Sequence, residues 1–524
     1  MMRTLTVFLF LILLVSASAA PKPPNILLIL ADDMGYSDAG CYGGDVMTPN
    51  LDALAAGGLR YTQAYNTARC WPSRAAILTG YYAQQVRRDA FPDGKRGGQG
   101  KRPDFAQLLP VYLRTLGYRN YQSGKWHVDG NPEDNGFDHS YVMNDHDHNF
   151  APKNHIEDGV KLPPIQEGTD YYTTTAYADH AIKCLKEHAS KHADKPFFEY
   201  LAFTVPHFPL HAPQKDIEKY TAKYKVGWDV MRGERYARQK QAGMVNCPLS
   251  ALERKVGPPY AFGDKLKILG PNEVNRPVPW SELNDGQQDF QAKKMAIHAA
   301  MVDVMDQNIG RVLDQLKAMK CLDDTIVLFL SDNGASAEMM VRGSGHDPEA
   351  APGSAGSYLC LGPGWSSTAN TPFRRHKTWV HEGGIATPLI VHWPAGIAAG
   401  GELRHDPTHI VDLVPTLMEA AGGKLPATQD GQPVPPRPGK SLVPSFAKDG
   451  AVTRDYLWWL HEGNRAFRVG DMKIVAAKGE PWELYDLSKD RSEMNDLSAK
   501  QPELVKKMAT EWEKHTEEFK AVSK

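Results

Sequence analysis

The chain has 524 residues, more than one hydrophobic core usually organises, so a large domain with a smaller companion is the expected plan. Hydrophobic residues are 42% and charged residues 23% of the chain, an ordinary globular mixture, and the formal net charge of -2 argues against a basic face for nucleic acid. The six cysteines (Cys41, Cys70, Cys184, Cys247, Cys321, Cys360) are scattered and form no C-x-x-C pair, which excludes a disulfide framework and a zinc ribbon.

In chain order, Arg3 precedes the apolar run "LTVFLFLILLV", which is too short to span a bilayer and closes on "SASAA". This reads as an export signal over 1–19, with cleavage after Ala19, and predicts a soluble periplasmic or secreted protein. No later apolar run is long enough for a membrane helix. Short apolar runs then alternate with helical patterns, the layout of an α/β fold with a large, mostly parallel sheet between helices. "NILLIL" ends in Asp32 and Asp33. "CWPSRAAILTG" predicts a helix with Cys70 at its N-terminus, Pro72 in the first turn and Arg74 one turn on. "YRNYQSG" ends in Lys125 and His127, "FFEYLAFTV" in Pro206 and His207, and "TIVLFLS" in Asp332 and Asn333.

Open parallel sheets bind ligands outside the carboxyl ends of their strands, so four strands are expected to deliver polar groups to one rim. Asp32, Asp33, Asp332 and Asn333 offer only oxygen ligands, which suits a hard cation of the calcium or magnesium kind. Arg74, Lys125, His127 and His207 are cationic or can become so. Together they describe a metal-assisted site for an oxyanion. Between these blocks, "DHSYVMNDHDHNF" (138–150) reads as a solvated loop, His211 as a structural loop residue, and "GWDVMRGERYARQKQAGMV" (227–245) as a surface helix. "RPGKS" is no phosphate loop, because Val434 stands where the first glycine belongs.

"HIVDLVPTLMEAAGG" predicts a helix with a glycine stop, which closes a catalytic domain over 20–423. The Pro-rich stretch 424–449 reads as a linker. Over 450–524, "YLWWLHEG", "RAFRVG", "KIVAAK" and "WELYDL" predict a small antiparallel sheet, followed by a helix from about Gln501.

"CWPSRAAILTG" resembles the C-x-P-S-R-x-x-x-L-T-G signature of type I sulfatases, with every fixed position present. "NILLILADDMGYSDAGCYGG", "SGKWH", "VPHFPLHAP", "TIVLFLSDNG" and "RRHKTWVHEGGIATPLIVHWP" resemble further blocks of that family in its order. The resemblance implies an alkaline-phosphatase-like fold with a smaller C-terminal subdomain, and an arylsulfatase-like hydrolase of sulfate monoesters on a small molecule or saccharide. It implies that Cys70 is converted to formylglycine (3-oxoalanine) by a maturase acting on "CWPSR". It further implies that Asp32, Asp33, Asp332 and Asn333 bind one calcium ion shared with the modified Cys70. Arg74 and Lys125 would hold the formylglycine and the sulfate, and His127 would contact the hydrated aldehyde. Lys377 and His207 would address the sulfate and the leaving oxygen.

Two other functions share parts of this pattern. A formylglycine-dependent phosphonate or phosphodiester hydrolase also carries C-x-P-S-R, but "TPFRRHKTWVHEGG" argues against it. A non-catalytic extracellular binder on the same scaffold is disfavoured by the completeness of the residue set. The natural organic group and the oligomeric state are not encoded in any of these motifs.

Overall fold

The computed structural model of the protein describes residues 22–91, 100–260, 263, 265–342 and 345–523. The expected export signal and its cleavage site lie outside the described residues. Four parallel strands form the middle of the main sheet: β1 (Asn25–Ala31), β3 (Arg119–Gly124), β7 (Phe197–Ala202) and β8 (Thr325–Ser331), in the order β8-β1-β7-β3. The sheet continues from β3 through β4 (His139–Met143), β5 (His155–Glu157) and β6 (Val160–Lys161). Beyond β8 lie β9 (Ala386–His392), β2 (Leu59–Tyr65) and β10 (Glu402–Arg404), with β11 (Thr408–His409) also on β2. β9 runs antiparallel to both β8 and β2, so the sheet is mixed but mostly parallel at its centre.

β1, β7 and β8 are largely apolar runs because both of their faces are covered, whereas β3, RNYQSG, buries polar Asn120, Gln122 and Ser123. Alternate residues of β1 divide accordingly. Leu27, Ile29 and Ala31 enter a core shared with the helix Asp285–Ala318. Ile26, Leu28 and Leu30 enter another, shared with the helices Cys70–Thr79 and Leu413–Ala420.

A hairpin of β12 (Thr428–Gln429) and β13 (Gln432–Pro433) lies within the Pro-rich stretch. That stretch is anchored to the main body, since Arg437 donates to the Thr79 carbonyl at 3.0 Å and to the Tyr112 hydroxyl at 2.8 Å. Four antiparallel strands come next, β14 (Leu457–His461), β15 (Asn464–Val469), β16 (Met472–Ala476) and β17 (Glu483–Asp486), then the helix Pro502–Val522. The faces of this small sheet feed both cores of the main domain. Trp459 and Val475 join one, while Trp458, Ile474 and Trp512 of the terminal helix join the other.

Two segments depart from the sequence reading. Residues Ser140–Met143 of the expected loop are buried as strand β4, paired in parallel with β3. The expected surface helix, Trp228–Gln241, buries Arg232, Arg235 and Gln239. Burial of Arg235 is tolerated because Asp38 and Asp45 pair with it at 2.8 and 2.6 Å. No helix among the described residues is long and apolar enough to cross a membrane.

Candidate active site

The carboxyl ends of β1, β3, β7 and β8 bring Asp32, Asp33, Lys125, His207, Asp332 and Asn333 to one rim of the sheet, as parallel pairing requires. Register sets the closest neighbours: Ala31 pairs with Ser331, so the next residues, Asp32 and Asp332, leave adjacent strands side by side. Gly124 closes β3 with φ of 117°, and a Cβ there would meet the Ala202 carbonyl oxygen at 2.0 Å. Its bare Cα lets the Lys125 N–H donate to that same carbonyl at 2.8 Å, which aims the lysine side chain across the rim.

Cys70 opens the helix Cys70–Thr79 and is 3% exposed. The turn before it is fixed by Ser73, whose hydroxyl bonds the Thr67 hydroxyl at 2.8 Å and accepts from the Thr67 N–H at 3.2 Å. Gly80 ends the helix in the left-handed conformation with its N–H on the Ala76 carbonyl. Thus the cysteine, serine and glycine of the signature each have a geometric task. Asp33, Ala68, His127, Arg375 and Thr378 all hold positive φ without being glycine, and all lie at or beside this rim. Strained backbone concentrated in this way marks a functional region.

The charged groups interlock. Lys125 Nζ donates to Asp32 Oδ2, and Arg74 Nε and Nη2 hold Asp332 Oδ2 at 3.0 and 2.8 Å. Arg74 also donates to the Lys125 carbonyl at 2.8 Å and is fully buried. Its contacts therefore fix Asp332 and the Lys125 turn. Lys377 Nζ bridges Asp33 Oδ1 at 2.8 Å and Glu338 Oε2 at 2.9 Å. Glu338 in turn receives Arg69 Nη1 at 2.8 Å. Burial opposes the charge on Lys377, yet Asp33 and Glu338 hold its pKa above the usual lysine range.

Three carboxylates converge, and their cost is visible. Burial and the charge of Asp32 push Asp332 upward, while Asp32, although burial opposes it, is held well below the carboxylate range by Lys125, His207 and Arg74. Asp32 Oδ1 and Asn333 Oδ1 are buried acceptors with no hydrogen-bond partner. Ligand atoms of Asp32, Asp33 and His207 lie within 4.8 Å of one another. His207 Nδ1 donates to the Phe208 carbonyl at 2.5 Å, which leaves Nε2 as a lone pair facing Asp33 Oδ2 at 3.7 Å. Buried acceptors left without a donor beside converging carboxylates fit a cation. The donor set is dominated by oxygen, so a hard divalent ion suits it better than zinc. The sequence reading placed His207 among the cationic groups; the structure sets it against the acids, and burial lowers its pKa to about 4.

Cys70 itself remains a thiol, because burial raises its pKa above the ordinary value even with Lys125 and Lys377 nearby. His127 is exposed on the mouth of the site. The protein packed round its ring, together with Lys125 and His146, keeps it neutral by lowering its pKa well below the imidazole range.

The geometry adds residues the sequence reading passed over. Glu338 orders Lys377 and Arg69; its signal was an acid five residues beyond Asn333 in "NGASAEMM". His146, from the stretch expected to be a plain loop, has its ring 5.9 Å from that of His127. Trp71 stands edge-on between His127 and His461, with centroids at 6.0 and 5.7 Å. His211, by contrast, is buried with Nε2 on the Ser357 carbonyl at 2.7 Å.

Residues 24–423 match the sulfatase family, and residues 374–519 match the C-terminal region of N-sulphoglucosamine sulphohydrolase. An uncharacterized sulfatase of Schizosaccharomyces pombe is 31% identical over 94% of this chain and 93% of its own. The arylsulfatase of Klebsiella aerogenes is 31% identical over 81% of this chain and 92% of its own. Among solved structures, Ps i-CgsB in complex with k-i-k-neocarrahexaose superposes with a TM-score of 0.67 at 24% identity, covering 94% of this chain and 93% of that one. With a family match over most of its length, the large mixed sheet and the small C-terminal sheet in place, the chain belongs to the sulfatase family, of the alkaline-phosphatase-like superfamily, and is a sulfuric ester hydrolase.

Proposed function

We propose that the protein is an exported, calcium-dependent sulfatase whose nucleophile is formylglycine made from Cys70, acting on sulfate monoesters of aryl or saccharide alcohols. The observation that carries this reading is the pair of buried, partnerless oxygens, Asp32 Oδ1 and Asn333 Oδ1, beside a helix N-terminus that begins with Cys70. Asp32, Asp33, Asp332 and Asn333 are the residues that would hold the ion. Together the ion and the hydrated aldehyde would supply a hydroxyl nucleophile near neutral pH and a way to release sulfate afterwards.

The remaining work falls to groups already in place. Lys377 brings a fixed positive charge to the side where the alcohol departs, steadied by Glu338. His207, neutral with its proton on Nδ1, presents a bare Nε2 that can only accept a hydrogen bond, so the proton taken up by the departing oxygen would come from the Lys377 ammonium. His127, neutral and exposed at the mouth, is suited to accept a proton from a hydroxyl at position 70. Arg74 and Lys125 neutralise Asp332 and Asp32 and add positive potential for an entering sulfate.

Ser73 and Arg74 are fully buried and Cys70 nearly so, so a maturase reading "CWPSR" must act before this region folds. Export by the N-terminal segment places the mature enzyme in the periplasm or outside the cell, and N-terminal sequencing of released protein should then begin at Ala20. The deciding assay compares an aryl sulfate with an aryl phosphonate on matured, calcium-loaded protein. The sulfate should be strongly preferred; preference for the phosphonate would overturn the reading.

A further inference from the structure

Beside the candidate centre a groove of about 970 Å³ runs between the segment 255–260, the turn 375–379 and the C-terminal sheet. It adjoins the centre through residues next to those of the rim. Thr378 lines the groove and comes directly after Lys377, and its hydroxyl lies 3.3 Å from Arg69 Nη1. The Arg69 guanidinium also packs over the ring of Tyr260, another lining residue, at 5.4 Å. Arg69 immediately precedes Cys70, so a molecule held with one end at residue 70 has this groove as its natural extension.

The groove's charge is unbalanced. Lys255, Arg276 and Lys478 line it and form no ion pair among the described residues; Lys255 and Lys478 are exposed, and Arg276 bonds only the Asn275 carbonyl, at 2.7 Å. Its two acids are engaged: Glu462 accepts from the Tyr260 hydroxyl at 3.1 Å, and Glu480 lies 3.9 Å from Arg375. Three free cations in a concave wall concentrate positive potential where low-dielectric protein surrounds it. Tyr260 and Trp379 add partly exposed rings to the same walls. Polar groups and aromatic faces in a cleft at the upper end of ligand-pocket sizes favour an extended, flat-faced and negatively charged ligand.

We propose that Lys255, Arg276 and Lys478 form a subsite for a second anionic group on a saccharide, so that the preferred substrate is a multiply charged oligosaccharide rather than a lone aryl sulfate. This rests on the reading of the rim as a sulfate-ester centre. The site lies between loops of the main domain and the C-terminal sheet, which gives that subdomain a share in substrate choice.

The test uses the matured full chain with Lys255→Glu and Lys478→Glu combined, both outside the catalytic machinery. Turnover of a small aryl sulfate is measured alone and with competing neocarrahexaose or a heparin hexasaccharide, each also in desulfated form. A control pair, Lys506→Glu with Lys507→Glu on the exposed face of the terminal helix, carries the same change in charge. For the groove variant, kcat/KM on the aryl sulfate should stay within about twofold while the inhibition constant of at least one sulfated hexasaccharide rises about tenfold or more at low salt. The control pair and the desulfated sugars should show no such difference. Equal inhibition of variant and parent overturns the subsite, as does failure of both sulfated sugars to inhibit the parent. Failure of the matured parent to hydrolyse the aryl sulfate would instead count against the centre itself.

Discussion

Two of the buried ionic clusters among the described residues differ in one respect. At the junction with the C-terminal subdomain, Lys473 bridges Glu382 and Glu493 at 2.9 and 2.8 Å. Arg491 and the Tyr65 hydroxyl complete Glu382, each at 3.0 Å, and the Glu382 N–H completes Glu493 at 3.0 Å. Every carboxylate oxygen there has a partner. At the sheet rim, charges of comparable number and burial leave Asp32 Oδ1 and Asn333 Oδ1 without any. A closed cluster holds two parts of a fold in register, whereas an open one, with desolvated acceptors left over, stores affinity for something that arrives later. Buried charge alone therefore does not identify a site, and neither does a single unmet acceptor such as Glu199 Oε2 or Glu273 Oε2; the rim is set apart by unmet acceptors that converge with several carboxylates.

Substitutions at the two clusters should separate their roles, the largest effect coming from the rim. Cys70→Ala should abolish turnover, a loss of about 10³-fold or more as for removal of a nucleophile, while thermal unfolding stays near that of the parent because a single sulfur leaves a small cavity. Substantial residual turnover would remove Cys70 from the chemistry. Lys473→Met leaves Glu382 and Glu493 facing each other and should cost about 3–5 kcal/mol in chemical denaturation. It should leave calcium affinity as it was; weakened calcium binding would mean that the two clusters are not independent.

Asp332→Asn should lower calcium affinity by about 100-fold or more, since losing a charged ligand should cost at least as much as losing an outer-shell partner. Isothermal titration reads this directly, and the rise in Tm on adding calcium should shrink for Asp332→Asn but persist for Lys473→Met. Equal calcium stabilisation in both variants would exclude Asp332 from the ion's shell.

The smallest effect concerns a buried acid with no cationic partner among the described residues. Glu199 on β7 is fully buried, its Oε1 accepts from Ser123 at 2.9 Å, and burial raises its pKa to about 8 although the hydrogen bond works the other way. The folded state thus binds the proton more tightly than the unfolded chain. That contribution is complete below the ordinary carboxylate range and is lost as pH climbs toward and past 8. The parent's Tm should fall between pH 5 and about pH 8.5 by more than that of Glu199→Gln, reflecting on the order of a few kcal/mol. Parallel Tm profiles would show that Glu199 is ionised in the folded protein.

Much of the rim was legible because three of its parallel strands, β1, β7 and β8, are largely apolar runs whose ends lead into the residues that reach the site. Asp32, Lys125 and Asp332 directly follow the last residue of a strand, while His207 lies five positions past β7 in the loop that continues it. Glu338, His146 and Trp71 could not be found in this way, since they reach the centre from loops or a helix start whose path depends on the finished fold. The surface reading of 227–245 failed for a related reason. A buried arginine is indistinguishable from a solvated one until its carboxylate partners, Asp38 and Asp45, are known to fold over it. The groove along Lys255, Arg276 and Lys478 joins residues more than two hundred positions apart, with no shared motif to connect them.

Under the proposed function, catalysis depends most on the chemical state of residue 70. Peptide mass spectrometry of actively hydrolysing, natively produced protein, focused on the segment containing "CWPSR", should find an aldehyde in place of the sulfhydryl in the molecules that turn over. Full activity from protein in which that peptide carries only the unmodified thiol would contradict a formylglycine nucleophile.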